Sequence, residues 1–194
     1  MQNESREAIS SALDKGLYGY AVELAKSHLE SYPKDGIAWI EIAKAYTQLS
    51  RYDEAEAAFD KAYKHAHTML REMIYVKRAG MYQRQGRPFD AEKCYKKAIA
   101  ENPTYAGNYV FLGILAFRRG DLALAESIHR QGAACVGECA DECYANLGGV
   151  LVAQQRYEEA EECFQKAIEL DPNYKWAKFR LRDVKEIRKL KRSK

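Results

Sequence analysis

Apolar residues in this chain return at three- and four-residue spacing with polar residues between them, a helical period, and the whole pattern restarts about every 34 residues. Alanine marks one place in all five passes: Ala21, Ala55, Ala91, Ala125 and Ala160. The units run over residues 2–35, 36–69, 72–105, 106–139 and 141–174. In each, the fourth place (Ser5, Trp39, Tyr75, Tyr109, Tyr144) and the eighth (Ile9, Ala43, Ala79, Gly113, Gly148) share one face of a first helix. A second helix carries Ala25, Phe59, Tyr95, His129 or Phe164, and then His28, Ala62, Ala98, Gly132 or Ala167. Gly16, Gly86 and Gly120 fall midway, where a helix must stop and reverse, and Ser50 and Gln155 hold that place in the other two units. Few β-branched runs and many Ala, Glu, Lys and Leu favour helix over strand, and no sheet is expected.

The fifth unit carries Tyr144, Leu147-Gly148, Leu151, Tyr157, Ala160, Phe164, Ala167 and Pro172, and Pro33 and Pro103 close the first and third in the same way. This pattern resembles the tetratricopeptide repeat, a two-helix unit. The first unit lacks the ring, the small residue and the late alanine, as an end cap would, and the fourth departs with His129, Gly132 and Gly137. The resemblance implies an all-α, right-handed superhelical solenoid of five helix pairs over residues 2–174, forming one domain. Such a stack has no single core, because each unit buries its apolar stripes against its neighbours.

Residues 175–194 change the charge picture, with ten Lys or Arg against two acids in a chain whose net charge is only +3. Trp176, Phe179, Val184, Ile187 and Leu190 still recur at helical spacing, so this segment reads as a capping helix that covers the last unit while its basic side meets water. No apolar run reaches the roughly 18 residues a membrane span needs, and the first residues lack an apolar signal region, so a cytoplasmic protein is expected.

Candidate chemistry adds little. Cys94 and Cys163 sit one before the large aromatic of their units and read as buried small hydrophobes. Cys135, Cys139 and Cys143 are four apart, but Gly137 and a unit joint break the helix that would align them, and the spacing is not that of a zinc knuckle. His65 and His67 are expected on different sides of a helix end, solvated, while His28 and His129 replace packing residues with no serine or cysteine nucleophile beside either. Carboxylates at Asp53, Glu54 and Glu56, and at Glu158, Glu159, Glu161 and Glu162, suit the positive end of a helix dipole. P-loop, dinucleotide and HExxH motifs are missing, so neither catalysis, a metal nor a cofactor is expected.

In the family it resembles, the ligand usually lies on the inner wall formed by the first helices. The places facing that wall include Met73, Val76 and Lys77, then Val110, Phe111, Ile114 and Phe117, then Asn146. An apolar strip rimmed by Lys77, Arg84 and Arg118 would suit an extended peptide or amphipathic helix of another protein. Phe111 and Phe117 read as exposed, whereas Val110 and Ile114 are equally placed to pack on neighbouring units. One subset of the family clamps a C-terminal carboxylate. Here the matching places hold Arg6, Ser10, Glu41, Met73 and Lys77 in the first register, and Glu41 would repel that group, while the other registers place Phe111 and Gly80 among the clamp positions. The expected function is thus a non-enzymatic adaptor for a partner peptide or helix. The rivals are contact with nucleic acid or an acidic surface through the basic segment, and a thiol or metal site at Cys135, Cys139 and Cys143.

Overall fold

The computed structural model describes residues 2–135 and 137–192; Val136, inside the expected fourth unit, and residues 193 and 194 of the basic segment lie outside the described residues. Eleven helices and no strand are found among the described residues: α1 (Gln2–Asp14), α2 (Tyr18–Ser31), α3 (Gly36–Gln48), α4 (Tyr52–His65), α5 (Thr68–Arg84), α6 (Pro88–Glu101), α7 (Ala106–Arg118), α8 (Leu122–Ala133), α9 (Ala140–Ala153), α10 (Tyr157–Leu170) and α11 (Lys175–Arg192). They form the five expected helix pairs and a final helix. The two-residue insertion before residue 72 is absorbed by starting α5 early, at Thr68, which makes it 17 residues long.

All five turns within pairs have one geometry. Gly16, Ser50, Gly86, Gly120 and Gln155 all have positive φ, between 59° and 83°. At each, the residue's N–H bonds back three residues and the next N–H bonds back five, as in Gly86 to Gln83 (3.1 Å) and Arg87 to Tyr82 (2.9 Å). These are the paired bonds of a Schellman C-cap, which satisfy carbonyls that the helix end leaves open. The repeat alanine follows directly: its N–H closes the first turn of the second helix, as Ala55 does onto Arg51 O at 3.0 Å, and its methyl is enclosed, with Ala55, Ala91, Ala125 and Ala160 at 0% exposure.

The chain divides into two compact units, the first ending at Glu101 and the second beginning at Asn102. In the first, α1 packs on α2 and α3, α3 on α4 and α5, and α5 on α6. In the second, α7 packs on α8 and α9, α9 on α10, and α11 lies on α10 and α9. Rings at the fourth place also tie joints together, since Trp39 Nε1 donates to Pro33 O and Tyr109 Oη donates to Pro103 O, each at 2.9 Å.

Helix contacts are close where a small residue faces a ring. A Cβ on Gly148 would fall 2.8 Å from Phe164 Cε1, one on Gly113 would fall 2.5 Å from His129 Nε2, and one on Gly132 would fall 2.7 Å from Tyr109 Cβ. The first pair of helices keeps this complementarity with the sizes exchanged. Ile9 and Ala25 are both buried where the second pair has Ala43 and Phe59, and Ser5 and His28 stand where it has Trp39 and Ala62.

The last helix covers its neighbour on a face that shares Val184 with the expected one but departs from it at Trp176, Phe179 and Leu190. Ala177 and Val184 are buried and Leu181 packs against them, whereas Trp176, Phe179 and Leu190 are exposed. Its basic side is in part paired: Arg188 Nε reaches Glu158 at 2.9 Å, its Nη1 bonds Glu161, and Lys185 lies 3.8 Å from Glu161. Those carboxylates, expected to serve the helix dipole, also anchor α11.

Candidate functional site

Phe111 and Phe117 are each 41% exposed on α7, a helix whose other apolar residues are mostly buried. Helical register separates the two sets. Val110 shares the face of Ala106 and Gly113 and is 3% exposed, so this residue, which the sequence left between groove and core, is a packing residue. Ile114 is half-buried, and Arg118 is exposed beside Phe117.

In the second unit Ile114 and Phe117 open onto a recess of about 190 Å³. Helix α7 supplies Ile114 and Phe117, α8 supplies His129, α9 supplies Asn146 and Gly149, and α11 supplies Trp176 and Arg180. Gly113 lets the His129 ring lie directly against α7. His129 is 1% exposed, and its Nδ1 is enclosed with no hydrogen-bond partner; Nε of Arg180 is in the same state. Burial lowers the His129 pKa from 6.5 to about 4, so the ring is neutral at neutral pH. Such a site can enclose one large side chain and offer it both apolar walls and a small number of polar partners.

Six of the ten residues expected on the binding wall belong to this unit: Val110, Phe111, Ile114, Phe117, Arg118 and Asn146. Ile114, Phe117 and Asn146 are brought together at the recess. Met73, Val76, Lys77 and Arg84 stand on α5 in the first unit, where Met73 and Val76 are half-buried and Lys77 and Arg84 exposed. Sequence reasoning missed His129, Trp176 and Arg180. The available signal was a histidine where the repeat places a phenylalanine, paired with a glycine at the eighth place.

One expectation about catalysis needs correction. A serine does stand beside a histidine: Ser5 Oγ is 2.7 Å from His28 Nδ1, and His28 Nε2 is 2.7 Å from Asp35 Oδ2. The same carboxylate oxygen accepts from Arg6 Nε at 2.6 Å, while Oδ1 accepts from the N–H groups of Ile37 and Ala38 and so caps α3. Burial alone would raise the Asp35 pKa, but the bonds from Arg6, His28 and Ala38 outweigh it and hold the carboxyl at about 2. Ser5 Oγ donates to Gln2 O at 3.1 Å, and the neighbouring recess is lined by Arg6 and Asp35 but by neither Ser5 nor His28. The cluster is a polar fastening of α1 and α2 onto α3. The same recess takes both His65 and His67, expected on different sides, because α4 ends at His65 and His67 is extended.

The three spaced cysteines each bond a different partner in the stretch from Pro103 to Ala106. The helix is broken between Ala133 and Ala140; Cys135 Sγ donates to Pro103 O at 3.7 Å, Cys139 has a φ of 67° and lies 3.8 Å from Tyr105 Oη, and buried Cys143 donates to Ala106 O at 3.5 Å. Burial raises all three thiol pKa values, that of Cys143 to about 12. No group of three or more His, Cys, Asp or Glu among the described residues is placed to hold a metal ion. No described helix is long and apolar enough to cross a membrane.

Comparison with known proteins agrees with the helix pairs. Two tetratricopeptide repeat family models match, one over residues 6–67 and 79–134 and the other over 142–174. The human Tetratricopeptide repeat protein 7B is 30% identical over 158 residues, which is 77% of this chain but 18% of that protein, so the chain spans under a fifth of this relative. Among solved structures, the MamA protein superposes with a TM-score of 0.65 at 19% identity over 87% of this chain and 90% of that one. The first repeat domain of Spaghetti (RPAP3), solved with an HSP90 peptide, gives 0.56 at 24% identity over 63% of this chain and 96% of that one. With its matching helix pairs, turns and alanine register, the chain belongs to the tetratricopeptide repeat family.

Proposed function

We propose that this chain is a non-enzymatic adaptor that binds a peptide or amphipathic helix of a partner protein on the apolar face of its first helices. The observation that carries this reading is the exposure of Phe111 and Phe117 on α7 beside a recess built from four helices. Two large exposed rings on a helix whose other apolar residues are mostly buried are a usual mark of an interaction surface. Arg118 and Arg180 set positive charge at its edge, which favours a partner with carboxylates near its apolar side chains. On α5 of the first unit, Met73, Val76, Lys77 and Arg84 repeat the combination of apolar centre and basic rim. A structural relative bound to a peptide, the first repeat domain of Spaghetti (RPAP3) with an HSP90 peptide, supports the class of ligand.

Contact with nucleic acid through α11 has less in its favour, because Arg188 and Lys185 face Glu158 and Glu161. The test is affinity capture from the native extract with wild type beside the Phe111→Ala, Phe117→Ala double variant. A partner held by the wild type and lost from the double variant at unchanged melting temperature supports the proposal. A fall of the melting temperature by several degrees would make the two rings packing residues.

A further inference from the structure

The recess among α7, α8, α9 and α11 has features that a general apolar groove does not need. Resting on the adaptor reading, we infer that it is a socket for one tyrosine side chain of the partner peptide, with His129 taking its hydroxyl and Arg180 meeting an acidic residue beside it. Four observations lead there. At about 190 Å³ the recess holds a single large side chain and not a helix face. Phe117 and Trp176 form its walls, and rings prefer the edge-to-face and offset contacts that another ring supplies. His129 is 1% exposed and leaves Nδ1 without a partner, and a buried nitrogen in that state destabilises the empty site until something bonds it. Arg180 lines the same recess with its own Nε unpartnered.

The fifth pair of helices shows what pure packing looks like at this place: Phe164 fills the space over Gly148 with no polar atom. The fourth keeps the glycine, at Gly113, but sets an imidazole on it. A neutral imidazole has one donor and one acceptor nitrogen, and a phenol hydroxyl is both donor and acceptor, so it satisfies either tautomer. A site built to bond a hydroxyl rejects the analogue that lacks it.

The full-length chain is titrated by calorimetry with three synthetic peptides that differ only in a central Tyr, Phe or Leu flanked by glutamates. The Tyr peptide should bind the wild type at least about tenfold tighter than the Phe peptide. His129→Phe should bring the two within about twofold while melting no lower than wild type, because it restores the apolar packing seen at Phe164. Arg180→Gln should weaken Tyr and Phe peptides alike. Equal affinity of Tyr and Phe peptides for the wild type, or no binding of any of the three, overturns the socket. If p-cresol binds as tightly as the Tyr peptide, the site takes a small phenol and the peptide form is overturned. Should the captured partner be lost on Phe111→Ala with Phe117→Ala yet be indifferent to His129→Phe, the socket fails and the adaptor reading stands.

Discussion

Gly148 and Phe164 are so close that a methyl group on the glycine would lie 2.8 Å from the ring's Cε1. Helices α9 and α10 therefore touch through a contact with no room for growth. Gly148→Ala should destabilise the protein by about 1–3 kcal/mol in denaturant titrations, and Ala160→Leu, at a 0% exposed methyl, by a similar amount. Unchanged midpoints for both would place the helices in a different register.

The five turns make a sharper backbone test. Ser50 and Gln155 adopt φ values of 59° and 62° without the freedom of glycine. Ser50→Gly and Gln155→Gly should each stabilise by up to about 1 kcal/mol, as relief of left-handed strain exceeds the entropy that glycine adds to the unfolded chain. Gly86→Ala should cost about 1 kcal/mol for the opposite reason, and thermal melts compare all three.

His129 ties stability to pH. Its pKa falls from 6.5 to about 4 on burial, so between these values the unfolded chain binds more protons than the folded one. Stability should be complete above pH 6.5 and decline as pH falls to about 4, by about 3 kcal/mol at most. His129→Phe should flatten that part of the curve; a variant with the same slope would show that another group titrates there.

Asp35 acts lower on the scale. Its carboxyl is held at about 2, against 3.8 when unpaired. The stabilisation is present above pH 4 and should be lost as pH falls towards 2, roughly 2 kcal/mol in all. Asp35→Asn removes the charge that Arg6 and His28 face, and should lower stability at neutral pH by at least that amount while abolishing its own share of the acid dependence.

The frame was legible because it rests on repeated local physics. An alanine enclosed at every close helix contact and a left-handed residue at every turn recur in sequence as they do in space, which is why even Ser50 and Gln155 could be placed without glycine to mark them. Where sequence reading lost detail, the reason was pairing. Ser5 and His28 read as two separate departures of the first unit, yet they are one exchange of large and small that ends in a 2.7 Å hydrogen bond. The last helix was read with Trp176, Phe179 and Leu190 on its covering face because they outweigh Ala177 in any hydrophobic tally, while the buried contact keeps Val184 and uses the small residue.

The candidate site shows the same limit. Phe111, Ile114, Phe117 and Asn146 were reachable by following the first helices, and register with Ala106 and Gly113 accounts for the burial of Val110. His129 was passed over because it stands on a second helix and lies against α7 at Gly113, so only the exchange of the repeat's phenylalanine for histidine marked it. Arg180 and Trp176 come from a helix that column-by-column reading treats as an appendage to the repeats.

The proposed function places the partner on the first helices of the second unit. Hydrogen–deuterium exchange of the full chain, alone and with the captured partner, reads that directly. The expected result is slowed exchange in α7, α9 and the first turns of α11, lost in the Phe111→Ala, Phe117→Ala variant. Protection confined to the second helices α8 and α10, or to the basic stretch after Val184, would contradict it.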